Sequence, residues 1–253
     1  MADSFLVEAV KRASLFEQLA DGPYDVPELV DDLEMSRSTV HRSVQSFLEK
    51  DLLRETDDGL ELTGLGRYVG EAVADFQTRA EAAAELGSFL NTADPTEVDV
   101  PLDVFADATA IHPKPRQPHF AVKRIIELIE QSESVRIFSS IISPFYVDVA
   151  YREMMEGTDI EVIFDHEVVE IIATEYADKA VEAAATGLFD VRVRESLPFE
   201  LFVFDDRMGM AAHDDDGIAR VFVEADAPEA VEWAEETYDR YRESAERIDV
   251  SSF

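Results

Sequence analysis

Charge is the tightest constraint on this chain: 56 acidic side chains stand against 22 basic ones, a formal net charge of −34 over 253 residues. Such an imbalance keeps a chain unfolded unless it can bury enough apolar surface and screen its own repulsion. Here 46% of the residues are hydrophobic and they recur at regular spacing, while the acid is spread along the whole length. The pattern predicts a folded protein suited to a halophilic cytoplasm, where multimolar salt shortens the Debye length to about 3 Å or less. Lysine is scarce beside arginine, 5 against 17, in keeping with a hydrated acidic surface. The absence of cysteine excludes disulfides, thiolate catalysis and Cys-based zinc sites. No apolar run reaches the roughly 18 residues of a membrane span, and Met1-Ala2-Asp3-Ser4 lacks signal-peptide character. A soluble, cytoplasmic protein is expected.

So much negative charge repels phosphate, so nucleic-acid contact requires a surface locally free of acid. One stretch qualifies. Apolar residues at helical spacing over 4–20 predict a first helix, stopped by Asp21-Gly22-Pro23. A second carries Val26, Leu29, Val30 and Leu33 on one side, with Pro27 in its first turn. Ser36 caps a third, from Arg37 to about Lys50. At 100° per residue, Val40, Val44, Phe47 and Leu48 share the core-facing arc, and Arg37, Ser38, His41, Arg42 and Gln45 fill the adjoining one. From Ser36 to Phe47 there is no acidic residue, in a chain where more than one residue in five is Asp or Glu. Arginine suits guanine edges and phosphates, glutamine suits adenine, and the hydroxyls of Ser36, Ser38 and Thr39 suit phosphate oxygens. Two short strands, 52–56 and 60–63, flank Asp57-Asp58-Gly59 as a hairpin, and Arg54 on the first completes the predicted DNA-binding set.

The run MSRSTVHRSVQSFLEKDLLRETDDGLELTGLG resembles the winged helix-turn-helix regulators of archaea and bacteria in the broad ArsR/MarR sense. The resemblance implies double-stranded DNA as partner. The acidic wing tip, Asp57-Asp58, departs from that pattern and shifts the expected contact to the third helix. The same helices could instead form a protein-interaction module. From Thr63 to Leu90 a long helical pattern continues through Leu65, Val69, Ala72, Phe76, Ala83, Leu86 and Leu90, a dimer seam or a packing face. A homodimer is expected, because paired recognition helices match two half-sites.

Three regions follow: a winged helix over 1–63, a connecting helix and linker over 64–97, and a C-terminal α/β domain over 98–253. Residues 91–118 hold five of the ten prolines, with a short strand expected at Leu102–Phe105. Beyond them the periodicity predicts a helix at about 119–131, a strand at Val135–Phe138, a helix from Ser143-Pro144 to Glu156, and a strand at Asp159–Phe164. A helix from His166 to Thr186, strands at 189–195, 199–205, 208–212 and 219–223, and a helix over 227–247 capped by Asp226 complete the order. This is a mixed α/β fold with parallel strands at one end of its sheet.

This half resembles the archaeal FilR-type methanogenesis-regulator family. The likeness rests on Val98-Asp99-Val100-Pro101-Leu102, Pro118-His119, Val135–Ser140 with Pro144, Pro198-Phe199 through Phe204-Asp205-Asp206, and Trp233–Tyr241 with Arg242. It implies an effector-sensing or oligomerising domain in a non-enzymatic regulator. Catalytic patterns are poor: His166-Glu167-Val168-Val169-Glu170 misses the second histidine of a zinc-protease helix, and His112-Pro113-Lys114 lacks the aspartate and second copy of phosphodiesterase chemistry. A phosphodiester or sugar-phosphate enzyme is a remote alternative, and no cofactor or metal site is expected. A small-molecule effector could sit beyond the parallel strand ends, at Ser139, Ser140, Ser143 and His166, with Arg192 and Arg194 as partners for an anion.

Overall fold

The computed structural model describes residues 2–93, 99–114, 116, 120–214, 217–250 and 253. Val98, Pro118-His119 and the Asp215-Asp216 part of the last turn lie outside them. Two compact units emerge, Met1–Glu81 and Ala82–Phe253.

The first unit runs α1 (Ala2–Lys11), α2 (Ala13–Ala20), α3 (Val26–Asp32), α4 (Arg37–Glu49), β1 (Leu53–Thr56), β2 (Gly59–Leu62) and into α5 (Gly64–Glu85). The single helix expected over 4–20 is broken at Arg12, whose φ of −122° and ψ of 25° leave the helical region. Its apolar periodicity survives the break, because Ala9, Ala13, Phe16 and Leu19 are all buried in one core. The backbone amide of Asp25 donates to Glu28 Oε2 at 2.7 Å and starts α3. Val40, Val44 and Phe47 pin α4 to the core, with the Phe16 and Phe47 rings 4.8 Å apart. The hairpin pairs Leu53 with Leu62 and Thr56 with Gly59, and Tyr24 adds a one-residue bridge to Leu60. Helices, hairpin and bridge make a winged helix. Thr63 Oγ1 accepts from the Gly66 amide at 3.0 Å and so caps α5. At Gly66 a Cβ would lie 2.0 Å from the Leu52 carbonyl oxygen, so only glycine permits this approach of helix to strand.

The second unit contains α6 (Gly87–Thr92), β3 (Thr109–Ile111), α7 (Phe120–Ile129), β4 (Ser134–Ser139), α8 (Pro144–Glu156), β5 (Asp159–Phe164), α9 (His166–Glu175) and α10 (Ala177–Ala185). It continues with β6 (Phe189–Val193), β7 (Glu200–Val203), β8 (Met208–His213), β9 (Ala219–Ala225), α11 (Pro228–Glu243) and β10 (Glu246–Arg247). One mixed sheet orders these strands β10-β6-β5-β4-β7-β8-β9-β3. β4, β5 and β6 are parallel; the remaining pairings are antiparallel.

Alternation along each strand divides the core into two layers. Val135, Ile137, Val162, Val191 and Phe202 face a layer shared with α7–α10. Phe138, Ile163, Leu201, Val203 and Met210 face the other, shared with α6 and α11.

Four expectations change here. Leu102–Phe105 is a 3-10 turn rather than a strand: the Val104 amide donates to Pro101 O at 3.0 Å, and Phe105 is buried edge-on against Trp233. The helix from His166 divides at Tyr176, where φ is −128° and ψ 14°. Asp226 does not cap α11; Ala227 holds that position without a side-chain bond. That helix ends at Glu243, and Glu246 and Arg247 pair with β6 instead.

Candidate nucleic-acid interface and cavity

Ser36 stands at the N-cap of α4, where its Oγ accepts from the Thr39 amide at 3.3 Å and lies 2.8 Å from Thr39 Oγ1. With no acidic residue in the first turn, the helix presents bare N–H groups and hydroxyls at its positive end. Ser36, Arg37, Ser38, His41, Arg42 and Gln45 are all exposed and Thr39 is half-buried. Arg42 Nε donates to Ser38 O at 3.1 Å, laying the guanidinium along its own helix. Among the described residues neither Arg37 nor Arg42 is paired with a carboxylate. Ser43 turns inward and donates to Thr39 O at 2.8 Å.

Two other cations of this unit are neutralised locally. Arg54 Nε lies 2.5 Å from Glu61 Oε1, its register partner across the hairpin. Lys50, at the end of α4, holds Glu8 at 3.0 Å, and its ammonium keeps the Glu8 carboxyl below the usual range against the opposing effect of burial. Arg54 is therefore tied into the wing, while the first half of α4 keeps Arg37 and Arg42 exposed. Along α5, Val69 and Val73 pack on the unit's own core, whereas Leu65, Tyr68 and Phe76 are 54%, 77% and 57% exposed.

The six residues expected around an effector do not converge. Arg192 and Arg194 project to the sheet face opposite the α7–α10 layer. Arg192 lies 3.7 Å from Asp190, and Arg194 donates to Ser196 O at 2.5 Å and Ser244 Oγ at 3.1 Å while stacking over Tyr241. Those contacts hold Arg194, whereas the buried Nε of Arg192 lies beside the Asp190 carboxylate without a hydrogen bond. Ser143 caps α8, Ser140 is half-buried, and His166 is exposed at the start of α9. Ser139 lines a cavity.

That cavity, about 90 Å³, lies between the sheet and α8–α10. Its walls include Tyr146, Tyr151, Phe164, Tyr176, Phe189 and Phe202, with aliphatic side chains between them. Its polar end was not foreseen. Glu200 on β7, 1% exposed, is hydrogen-bonded to Ser139 Oγ from β4. The Ser139 hydroxyl also accepts from the Ile141 amide and lies 2.9 Å from Ile141 O. Burial pushes the Glu200 carboxyl up to about 8, against the hydrogen bond from Ser139. His213 Nε2 lies 3.1 Å from Glu200 Oε2, which has no hydrogen-bond partner among the described residues. Burial lowers His213 to about 4, so both groups are neutral at pH 7. Burial and the Glu200 charge raise the Tyr146 hydroxyl. The available sequence signal was slight: one carboxylate in the apolar run 199–204.

Among the described residues no group of three His, Cys, Asp or Glu side chains is placed to hold a metal ion. No described helix is long and apolar enough to cross a membrane.

Fold and surface together define a winged-helix protein whose second unit is an α/β domain with a mixed sheet. Residues 118–244, half of the chain, match the middle domain of the methanogenesis regulatory protein FilR1, and the chain belongs to that family. Residues 2–85 match the HVO_A0261 N-terminal domain. Comparison with curated proteins gives no match. Among solved structures, TrmBL2, an archaeal chromatin protein, is similar at 14% identity over 95% of this chain and 94% of that one, with a TM-score of 0.47. NucT from Helicobacter pylori is similar at 15% identity over 56% of this chain and 98% of that one, TM-score 0.44. Phosphatidylserine synthase from Haemophilus influenzae gives 11% identity over 67% and 54%, TM-score 0.48. At these scores the structural likenesses carry no functional argument.

Proposed function

We propose that this chain is a DNA-binding transcriptional regulator of a halophilic archaeon, reading operator DNA as a homodimer with α4 and responding to an effector through its C-terminal unit. One observation carries the reading: the start of α4 is exposed, free of acid, and holds Arg37 and Arg42 without carboxylate partners among the described residues. Membership in a regulator family supports it. In multimolar salt the long-range repulsion from a −34 chain is screened, while short-range contacts by these side chains persist. The exposed Leu65, Tyr68 and Phe76 stripe on α5 supports the homodimer, since a two-fold pair places two recognition helices on two half-sites.

The test is a mobility shift in high potassium chloride with a genomic fragment enriched by the protein. Arg37→Glu and Arg42→Glu should each weaken binding by roughly 5- to 150-fold, the range for losing one base-contacting arginine, with the circular dichroism spectrum unchanged. Arg54→Ala should change it little, because Glu61 already holds that cation. If both α4 variants bind as the parent does, α4 is not the recognition helix, and a protein-docking winged helix becomes the better reading.

A further inference from the structure

We propose that the cavity of the C-terminal unit binds a small aliphatic ammonium ion, with the Glu200 carboxylate as its counter-ion and the surrounding aromatic rings as its walls. This deepens the effector reading and rests on it only for the consequence at DNA.

Three observations select the ligand. First, Glu200 is buried at the end of the cavity and its Oε2 has no hydrogen-bond partner, although every other polar contact of the Ser139–Glu200 pair is made. Once ionised, that oxygen is a buried acceptor without a donor, which is costly, so a ligand that supplies an N–H there gains the bond the protein leaves open. Second, six aromatic rings line the space, and ring faces attract cations most strongly where water is excluded. The rim already shows the geometry: Lys179 Nζ lies 5.5 Å from the centre of the Tyr151 ring. Lys179 is paired with Asp148 at 2.5 Å, so it neither fills the cavity nor attracts an anion into it. Third, the cavity volume is about 90 Å³. A cavity of roughly 150 Å³ accepts benzene, so this one suits about four heavy atoms.

An anionic ligand would meet the Glu200 carboxyl instead of a cation. The groups facing Glu200 are Ser139 from β4, His213 from β8 and Tyr146 from α8, none of them positively charged at pH 7. When an ammonium pairs with Glu200, the carboxyl ionises and its proton passes to solvent, so binding at pH 7 releases protons.

The experiment uses the full chain in potassium chloride with three probes of one carbon skeleton: propylammonium, 1-propanol and propionate. Isothermal titration should give saturable binding of propylammonium alone, with protons released in proportion to the complex, read from buffers of different ionisation heat. Glu200→Gln, which retains the shape of the protonated acid, should weaken the amine roughly thirtyfold or more. Ala150→Phe, filling the cavity from α8 with Glu200 intact, should abolish binding. Absence of saturable amine binding, equal binding of all three probes, or undiminished binding to Glu200→Gln overturns the assignment. A parallel mobility shift separates this from the regulator reading. An amine that binds without altering DNA affinity supports the site and removes its effector role, whereas loss of the DNA reading leaves the titration decisive.

Discussion

Replacing Glu200 by glutamine should flatten the pH dependence of stability, and the size of the change follows from the burial of that carboxyl. In the folded protein it titrates near 8 instead of its ordinary 4.5. Between those values the native state holds a proton that the unfolded chain has released. The stabilisation is complete below pH 4.5, falls as pH rises, and levels off above about 8. One pKa unit corresponds to about 1.4 kcal/mol, so the loss between pH 5 and 8 is about 4 kcal/mol. His213 works in the opposite sense: burial lowers it to about 4 from 6.5, so its contribution is lost as pH falls from 6.5 towards 4. Above pH 6.5 the histidine adds little further change, and most of the remaining loss, about 2 kcal/mol between pH 6.5 and 8, belongs to Glu200. Glutamine keeps an oxygen that accepts from Ser139 and has no proton to lose. The assay is denaturant unfolding of parent and Glu200→Gln across this range in potassium chloride; subtraction cancels the surface carboxylates. Parallel curves from pH 6.5 to 8 would refute the reasoning, because Glu200 would then be ionised in the fold.

Gly66→Ala tests the packing of α5 on the winged helix. Alanine normally favours a helix by about 1 kcal/mol over glycine, but here its Cβ would strike the Leu52 carbonyl oxygen, so a net loss of about 2 kcal/mol or more is expected by denaturant unfolding. A neutral or stabilised variant would show that the helix start shifts freely. Tyr68→Glu combined with Phe76→Glu places charge on the exposed stripe of α5 and should convert the expected dimer to monomer in analytical ultracentrifugation, with the helix content unchanged. A parent protein that sediments as a monomer at micromolar concentration removes the homodimer from the proposal.

Much of the fold was legible because its signals are local. Helical spacing located α4, and Ser36 marked its start through a hydrogen bond spanning three residues. Asp58-Gly59 marked the hairpin, and apolar runs marked the parallel strands. The acid-free arc of α4 could be drawn from a helical wheel alone, and the structure exposes those residues. Interruptions were less legible: Arg12 and Tyr176 break helices without a proline or glycine, because the apolar period continues across both. Short pairings such as Tyr24 with Leu60, or β10 with β6, are too brief to leave a periodic trace.

The amino-acid order by itself therefore determined most of the longer helices and strands and which helical surface is free of negative charge, since both depend on neighbours within a turn or two. Only the tertiary structure decided which charges remain available and which groups meet. Glu61 neutralises Arg54 through hairpin register. Arg192 and Arg194 turn away from the cavity because side chains alternate across a strand. Ser139 and Glu200, 61 positions apart, meet because β7 lies antiparallel beside β4. Strand order in a sheet is a long-range property, and no local pattern encodes it.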